Sequence, residues 1–146
     1  MYVLDTNVIS ELSPEKPAPD AALVAWLRRN GDHCYLSAVT LTEIAYGVAR
    51  LRQRGATAKA RRLSAWLDEV INFHGEHIIA VDIDIALRAG VLLAAARATG
   101  VEPDIEDAWI AASAELGSMT VLTFNDADYH PMGVRLLNPA AALPPG

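Results

Sequence analysis

Cysteine is almost absent: Cys34 stands alone, so no internal disulfide can form, and its setting in Cys34-Tyr35-Leu36 suits a small buried residue of a strand. Long apolar runs are missing too. The most hydrophobic stretch, Ile85 to Ala98, is interrupted by Arg88 and falls short of the roughly 20 residues that span a bilayer, which leaves a buried helix or an oligomer face and no membrane partner. Met1 leads straight into Tyr2-Val3-Leu4 with neither a basic segment nor a cleavage site, so a cytoplasmic protein is expected. Basic residues are outnumbered, 12 against 18, giving a net charge of −6, which argues against a surface coated in nucleic acid. His74 and His77 straddle Gly75 without Cys or His neighbours; they read as turn and strand-edge residues rather than a zinc pair. Gly-x-Ser-x-Gly, the P-loop, Gly-x-Gly-x-x-Gly and His-Glu-x-x-His are all lacking, and with them the common hydrolase, nucleotide-binding and zinc-protease chemistries.

What is present is a single-domain length of 146 residues, 52% hydrophobic and 21% charged, enough to bury a core. Strand and helix signals alternate along it. Tyr2-Val3-Leu4 reads as a short central strand ending at Asp5, with a helical start at Val8-Ile9. Residues 13–19 form a loop with three prolines, and Asp20 caps a helix through Leu23, Val24, Trp26 and Leu27. Cys34 to Ser37 is a second strand. Thr40-Leu41-Thr42-Glu43 matches a capping box opening a helix toward Leu51, and Gly47 within that helix suggests a tight packing contact. A further helix carries Leu63, Trp66, Leu67, Val70 and Ile71; Ile78 to Val81 is a third strand; Asp82 or Asp84 caps the next helix, which Gly100 ends. Asp104 to Leu116 is an acidic-headed helix closed by Gly117 as its C′ residue. Strands at 120–123 and 134–137 follow, and residues 138–146 form a tail laid on the surface. The order predicts an α/β fold, a three-layer α/β/α sandwich around a mostly parallel sheet.

That order places Asp5 at the end of the first strand, Asn125 just after the fourth, and Glu43 and Asp107 in the first turns of helices that leave strand-end loops. The four are expected to converge on one edge, where open α/β sheets bind ligands. Asp104 and Asp107 also have a purely local use as cap and first-turn acids of their helix, worth about 1 kcal/mol each. Two carboxylates about 4 Å apart repel by roughly 4 kcal/mol at an effective dielectric near 20, so three together take up protons or hold a cation. All-oxygen donors point to Mg²⁺ or Mn²⁺ and hence to phosphodiester hydrolysis. Arg50, Arg52, Arg54, Lys59, Arg61 and Arg62 gather half of all basic residues into positions 50–62, a patch suited to a polyanion, although a solvated helix face explains it equally well.

Val3-Leu4-Asp5-Thr6-Asn7-Val8-Ile9-Ser10, Leu36 to Ile44, Asp107 to Ala114 and Val121-Leu122-Thr123-Phe124-Asn125 resemble, in order and spacing, the four motifs of PIN-domain ribonucleases. The similarity is strongest to the VapC toxins of type II toxin–antitoxin pairs, on their FitB-like branch, and extends to Leu137-Asn138-Pro139. The resemblance implies one PIN domain over residues 1–146 and a metal-dependent endoribonuclease. Asp5, Glu43 and Asp107 would form the metal site, Asn125 would fill the fourth position, and Thr6, Asp104, Thr123 and Asp128 would support them. It further implies RNA as substrate, a cognate antitoxin that blocks the acidic pocket, and a homodimer or toxin–antitoxin hetero-oligomer, with Val91, Leu92 and Leu93 as a candidate dimer face. Phe124 departs from the Arg that such proteins often carry there. Two rivals stand beside this reading. One is a PIN-fold module that binds RNA or antitoxin without turnover. The other is a haloacid-dehalogenase-like phosphatase, which Asn7 disfavours by standing where that chemistry needs a second aspartate.

Overall fold

Residues 1–145 are described in a computed structural model; Gly146, the last residue of the expected tail, lies outside them. Five short strands form one sheet: β1 (Tyr2–Leu4), β2 (Cys34–Ser37), β3 (Ile78–Ile79), β4 (Thr120–Leu122) and β5 (Leu136–Leu137). Their order is β3-β2-β1-β4-β5, and every pairing is parallel. Parallel neighbours require crossovers, which are supplied by α1 (Thr6–Ile9), α2 (Ala21–Arg29), α3 (Ala38–Gln53), α4 (Thr57–His74), α5 (Ile83–Ala98), α6 (Ile105–Leu116) and α7 (Asp126–Tyr129).

Alternation along β1 divides the core. Val3 faces one layer with Val121, α5 and the alanine-rich buried side of α6; Leu4 faces the other with Leu36, Leu122, Leu23, Trp26 and Trp66. This is the expected three-layer sandwich. Small residues let α6 lie close to the sheet: Ala108, Ile110, Ala111, Ala112 and Ala114 are fully buried, which fixes the height of its acidic first turn above the strand ends. Cys34 is buried in β2, and burial pushes its thiol up to about 12, so it stays a protonated packing residue.

Several local expectations are corrected. Thr40 and Glu43 do not form a capping box. Helix α3 begins earlier, with Ser37 as the N-cap accepting from the Val39 N–H at 3.3 Å, so Thr40 is buried inside the helix and Glu43 stands in its second turn. The strand signal of Cys34 to Ser37 runs directly into helix with no intervening loop, which shifts the start by a turn. Gly117 is the C-cap of α6 at φ −81°, and the left-handed residue is Ser118 at φ 54°. Strands β3 and β5 have two residues each rather than four, and β4 stops at Leu122. Asp82, not Asp84, caps α5 by accepting from the Ile85 N–H at 2.9 Å. On α5, Leu92 is core, and the outward stripe is Ile83, Leu87 and Val91. That stripe borders an open recess of about 730 Å³ also lined by Leu116 and Met119.

Gly47 makes no tight contact: a Cβ there would meet only the Leu63 Cδ2, at an ordinary 3.7 Å. Gly47→Ala is therefore expected to stabilise the protein by about 0.5–1 kcal/mol through helix propensity alone. A urea midpoint at or below that of the parent would contradict this.

Candidate active site

The site starts from the register of the three central strands. Leu4 pairs with Leu36 on one side and Leu122 on the other, so Asp5, Ser37 and Thr123 leave the sheet side by side. The Asp5 N–H continues the ladder to the Leu122 carbonyl at 2.9 Å. Its side chain turns back as the N-cap of α1 and is only 6% exposed. Three donors hold it: the Thr6 N–H at 2.7 Å, the Asn7 amide at 2.9 Å and the Thr123 hydroxyl at 2.7 Å.

Asn7 in turn accepts from the Phe124 N–H at 3.2 Å, tying β1 to the loop after β4. Thr6 donates to Glu43, with the buried Thr40 hydroxyl 3.3 Å away. Asp107, in the first turn of α6, accepts the Asp104 N–H at 3.3 Å and the Tyr129 hydroxyl at 3.3 Å. Tyr129 is fully buried, and its phenol also feels the charge of Asp5.

Electrostatics show how close these acids stand. Burial raises Asp5 above the ordinary carboxylate range, although its three hydrogen bonds oppose the rise. Burial raises Glu43 as well, against the Thr6 bond and with the charges of Asp5, Glu106 and Asp104 adding to it. Asp107 is pushed up to about 7, first by burial and then by Asp5 and Asp128. A cluster of this kind is costly to keep fully ionised.

Asp5, Thr6, Glu43, Asp104, Asp107, Thr123 and Asp128 thus belong to one neighbourhood. Asn125 sits at its edge: its N–H donates to the Thr123 hydroxyl at 2.9 Å, and its exposed side chain donates to Asp128. The arginine patch does not join them. Arg50, Arg52 and Arg54 lie at the far end of α3, Arg61 and Arg62 on the first turns of α4, and Arg62 is paired with Glu15; at 1.5 Å per residue Arg50 is roughly 10 Å along the helix from Glu43. Asn7, Thr40, Glu106 and Tyr129 are the additions sequence reasoning missed. Asn7 sits in the same strand-end triplet as Asp5, which is a usable signal. Tyr129 carries none, since only the fold of α7 swings it beneath Asp107.

The donors suit a hard cation. Every group is a carboxylate, hydroxyl or amide oxygen, which is the preference of Mg²⁺ and Mn²⁺. Among the described residues no group of three acids, histidines or cysteines forms a ready cage for an ion.

A PIN-domain model matches residues 2–132. The chain belongs to the PIN-domain family. VapC ribonuclease Y4jK of Sinorhizobium fredii is 33% identical over 95% of this PIN domain and 97% of its own length. Toxin FitB of Neisseria gonorrhoeae is likewise 33% identical, over 95% of this chain and 98% of its own. The crystal structure of FitAcB from the same organism superposes with a TM-score of 0.82 at 32% identity, covering 96% of this chain and 99% of that one. This PIN domain spans nearly the full length of both relatives. The phosphatase alternative falls with this, and Asn7 is bound into the scaffold instead of standing free as an acid.

Proposed function

We propose that this PIN domain is a divalent-cation-dependent endoribonuclease that hydrolyses RNA phosphodiester bonds as the toxin of a toxin–antitoxin pair in the cytoplasm. The observation that carries the reading is the Asp5–Glu43–Asp107 group, one acid buried and two half-buried, raised in pKa yet held by a dedicated set of hydrogen bonds. A structural role offers no reason to assemble mutually repelling acids at the end of the central strand. Full-length similarity to a VapC ribonuclease and to a FitB toxin supports the nuclease and its partner class.

Asp5 and Asp107 are the direct cation ligands in this reading, with Glu43 near them. Asn7, Thr123 and the Thr6 N–H fix both Asp5 oxygens, so the ligand is in position before anything binds. Thr6 aims Glu43 from the neighbouring helix. A divalent cation in such a pocket supplies charge neutralisation at the attacked phosphate and a more acidic water. Water attacks phosphorus, one P–O bond of the strand breaks, and the departing oxygen takes up a proton. A partner antitoxin would silence the protein by covering the acidic pocket. The outward Ile83, Leu87 and Val91 stripe offers a second copy of the chain an apolar face.

The direct test incubates purified protein with total cellular RNA in Mg²⁺, in EDTA, and as Asp107→Asn. Discrete fragments in the first condition that vanish in both others are expected. Intact RNA throughout, with RNA still bound, would instead favour the module without turnover.

A further inference from the structure

We propose that Tyr46 and Arg50 form a nucleotide subsite beside the acidic pocket, in which an unpaired base of the RNA strand stacks on Tyr46 and its phosphate meets Arg50. The inference rests on the ribonuclease reading above and adds to it the two side chains that hold a nucleotide of the strand.

Helix α3 buries Val39, Thr40, Ile44 and Val48 against the sheet and α4. Tyr46 is not among them: its ring is 61% exposed and contributes nothing to the core. Positions 43, 46 and 50 are spaced i, i+3, i+7, which puts all three on one helical face. At 1.5 Å per residue, Tyr46 stands roughly one turn above Glu43 and Arg50 one turn higher. Gly47, next to Tyr46, is turned toward Leu63 of α4 and puts no side chain over the ring.

The pair is also arranged. The Arg50 guanidinium donates to the Tyr46 hydroxyl at 2.9 Å, and its central carbon lies 5.7 Å from the ring centroid. The bond holds the cation at the edge of the ring and restrains both side chains, which lowers the ordering cost of binding. An exposed aromatic ring next to a cation is the combination that single-stranded nucleic acid uses, the ring taking a base face and the cation a backbone phosphate. A paired base offers no free face, so a duplex gains nothing from Tyr46. The placement has a charge logic as well. The protein is acidic overall, and Arg50 with Arg54 beyond it supplies positive charge on the stripe that leads away from the three acids.

The test measures binding of a fluorescently labelled, unstructured oligoribonucleotide and of the same sequence as a duplex, using Asp107→Asn protein so that the probe survives. Tyr46→Ala is expected to weaken single-strand binding about tenfold, the cost of one lost stack, while Tyr46→Phe stays within about twofold and duplex binding does not change. Arg50→Ala is expected to lower the salt dependence by about one phosphate contact. A 2-aminopurine in the oligonucleotide should be quenched by the parent and by Tyr46→Phe but not by Tyr46→Ala. Tyr46→Ala that binds the single strand as the parent does would overturn the subsite and leave the pair to a protein interface. Failure of the parent itself to bind RNA would overturn the ribonuclease reading along with it.

Discussion

Asp107→Asn and Asp5→Asn are each expected to lower RNA cleavage by at least roughly a thousandfold, yet to move stability in opposite directions. From the sequence both look alike, since each removes one charge from a repelling group and should leave the fold intact or slightly stabilised. The hydrogen bonds separate them. Asp107 meets one backbone N–H and one phenol, both at 3.3 Å, and its carboxylate is disfavoured by burial and by its neighbours. An amide keeps the shape and removes the penalty, so Asp107→Asn should melt higher at neutral pH. Asp5 accepts three donors, two of them on the same oxygen. An asparagine there must point its own NH₂ at a donor on one side, leaving buried groups unpaired at a cost of about 1–3 kcal/mol. Asp5→Asn should melt lower. Cleavage assays with matched thermal melts check both halves; two variants that lose activity but shift alike in melting would show that the network around Asp5 is not structural.

That contrast marks the limit of what the residues reveal before folding. The layer order, the central place of the first strand and the position of Asp5 follow from short apolar runs ending in acids, because a buried parallel strand and its exit loop leave a strong local pattern. Glu43 is the opposite case. Its spacing from Thr40 imitates a capping box, but Ser37 caps α3 instead, and Glu43 faces Thr6 across the strand ends. Tyr129 is illegible in advance for another reason. Its partner Asp107 and the nearby charge of Asp5 are far away in sequence and are brought to it by two separate packing events, the docking of α6 on the sheet and the turn of α7 after β4. Asn125 keeps its expected place after the fourth strand, while its side-chain contact with Asp128 depends on the turn into α7 and has no signal in the sequence.

The same electrostatics predict that the cation-free protein loses stability as pH rises from about 4 to about 7, and that a divalent cation reverses the loss. In the unfolded chain Asp107 titrates near 3.8, and in the folded protein at about 7. Between those values the folded state holds a proton that the unfolded state has released, so raising the pH favours unfolding. The contribution is complete below the lower value and gone above the upper one. Asp5 and Glu43, both raised mainly by burial, act in the same direction. At face value the Asp107 displacement is worth about 4 kcal/mol, but its carboxylate is partly open to solvent, and screening reduces this to about 1–2 kcal/mol, or a few degrees of melting temperature for a chain of this size. Melts in EDTA from pH 5 to 8.5 should therefore show the parent falling relative to Asp107→Asn, the difference cancelling titrations common to both. Adding Mg²⁺ at pH 8 should raise the parent by mass action and move Asp107→Asn much less. Parallel pH profiles for the two proteins, or an equal rise with Mg²⁺, would show that the acids neither strain the fold nor share a cation.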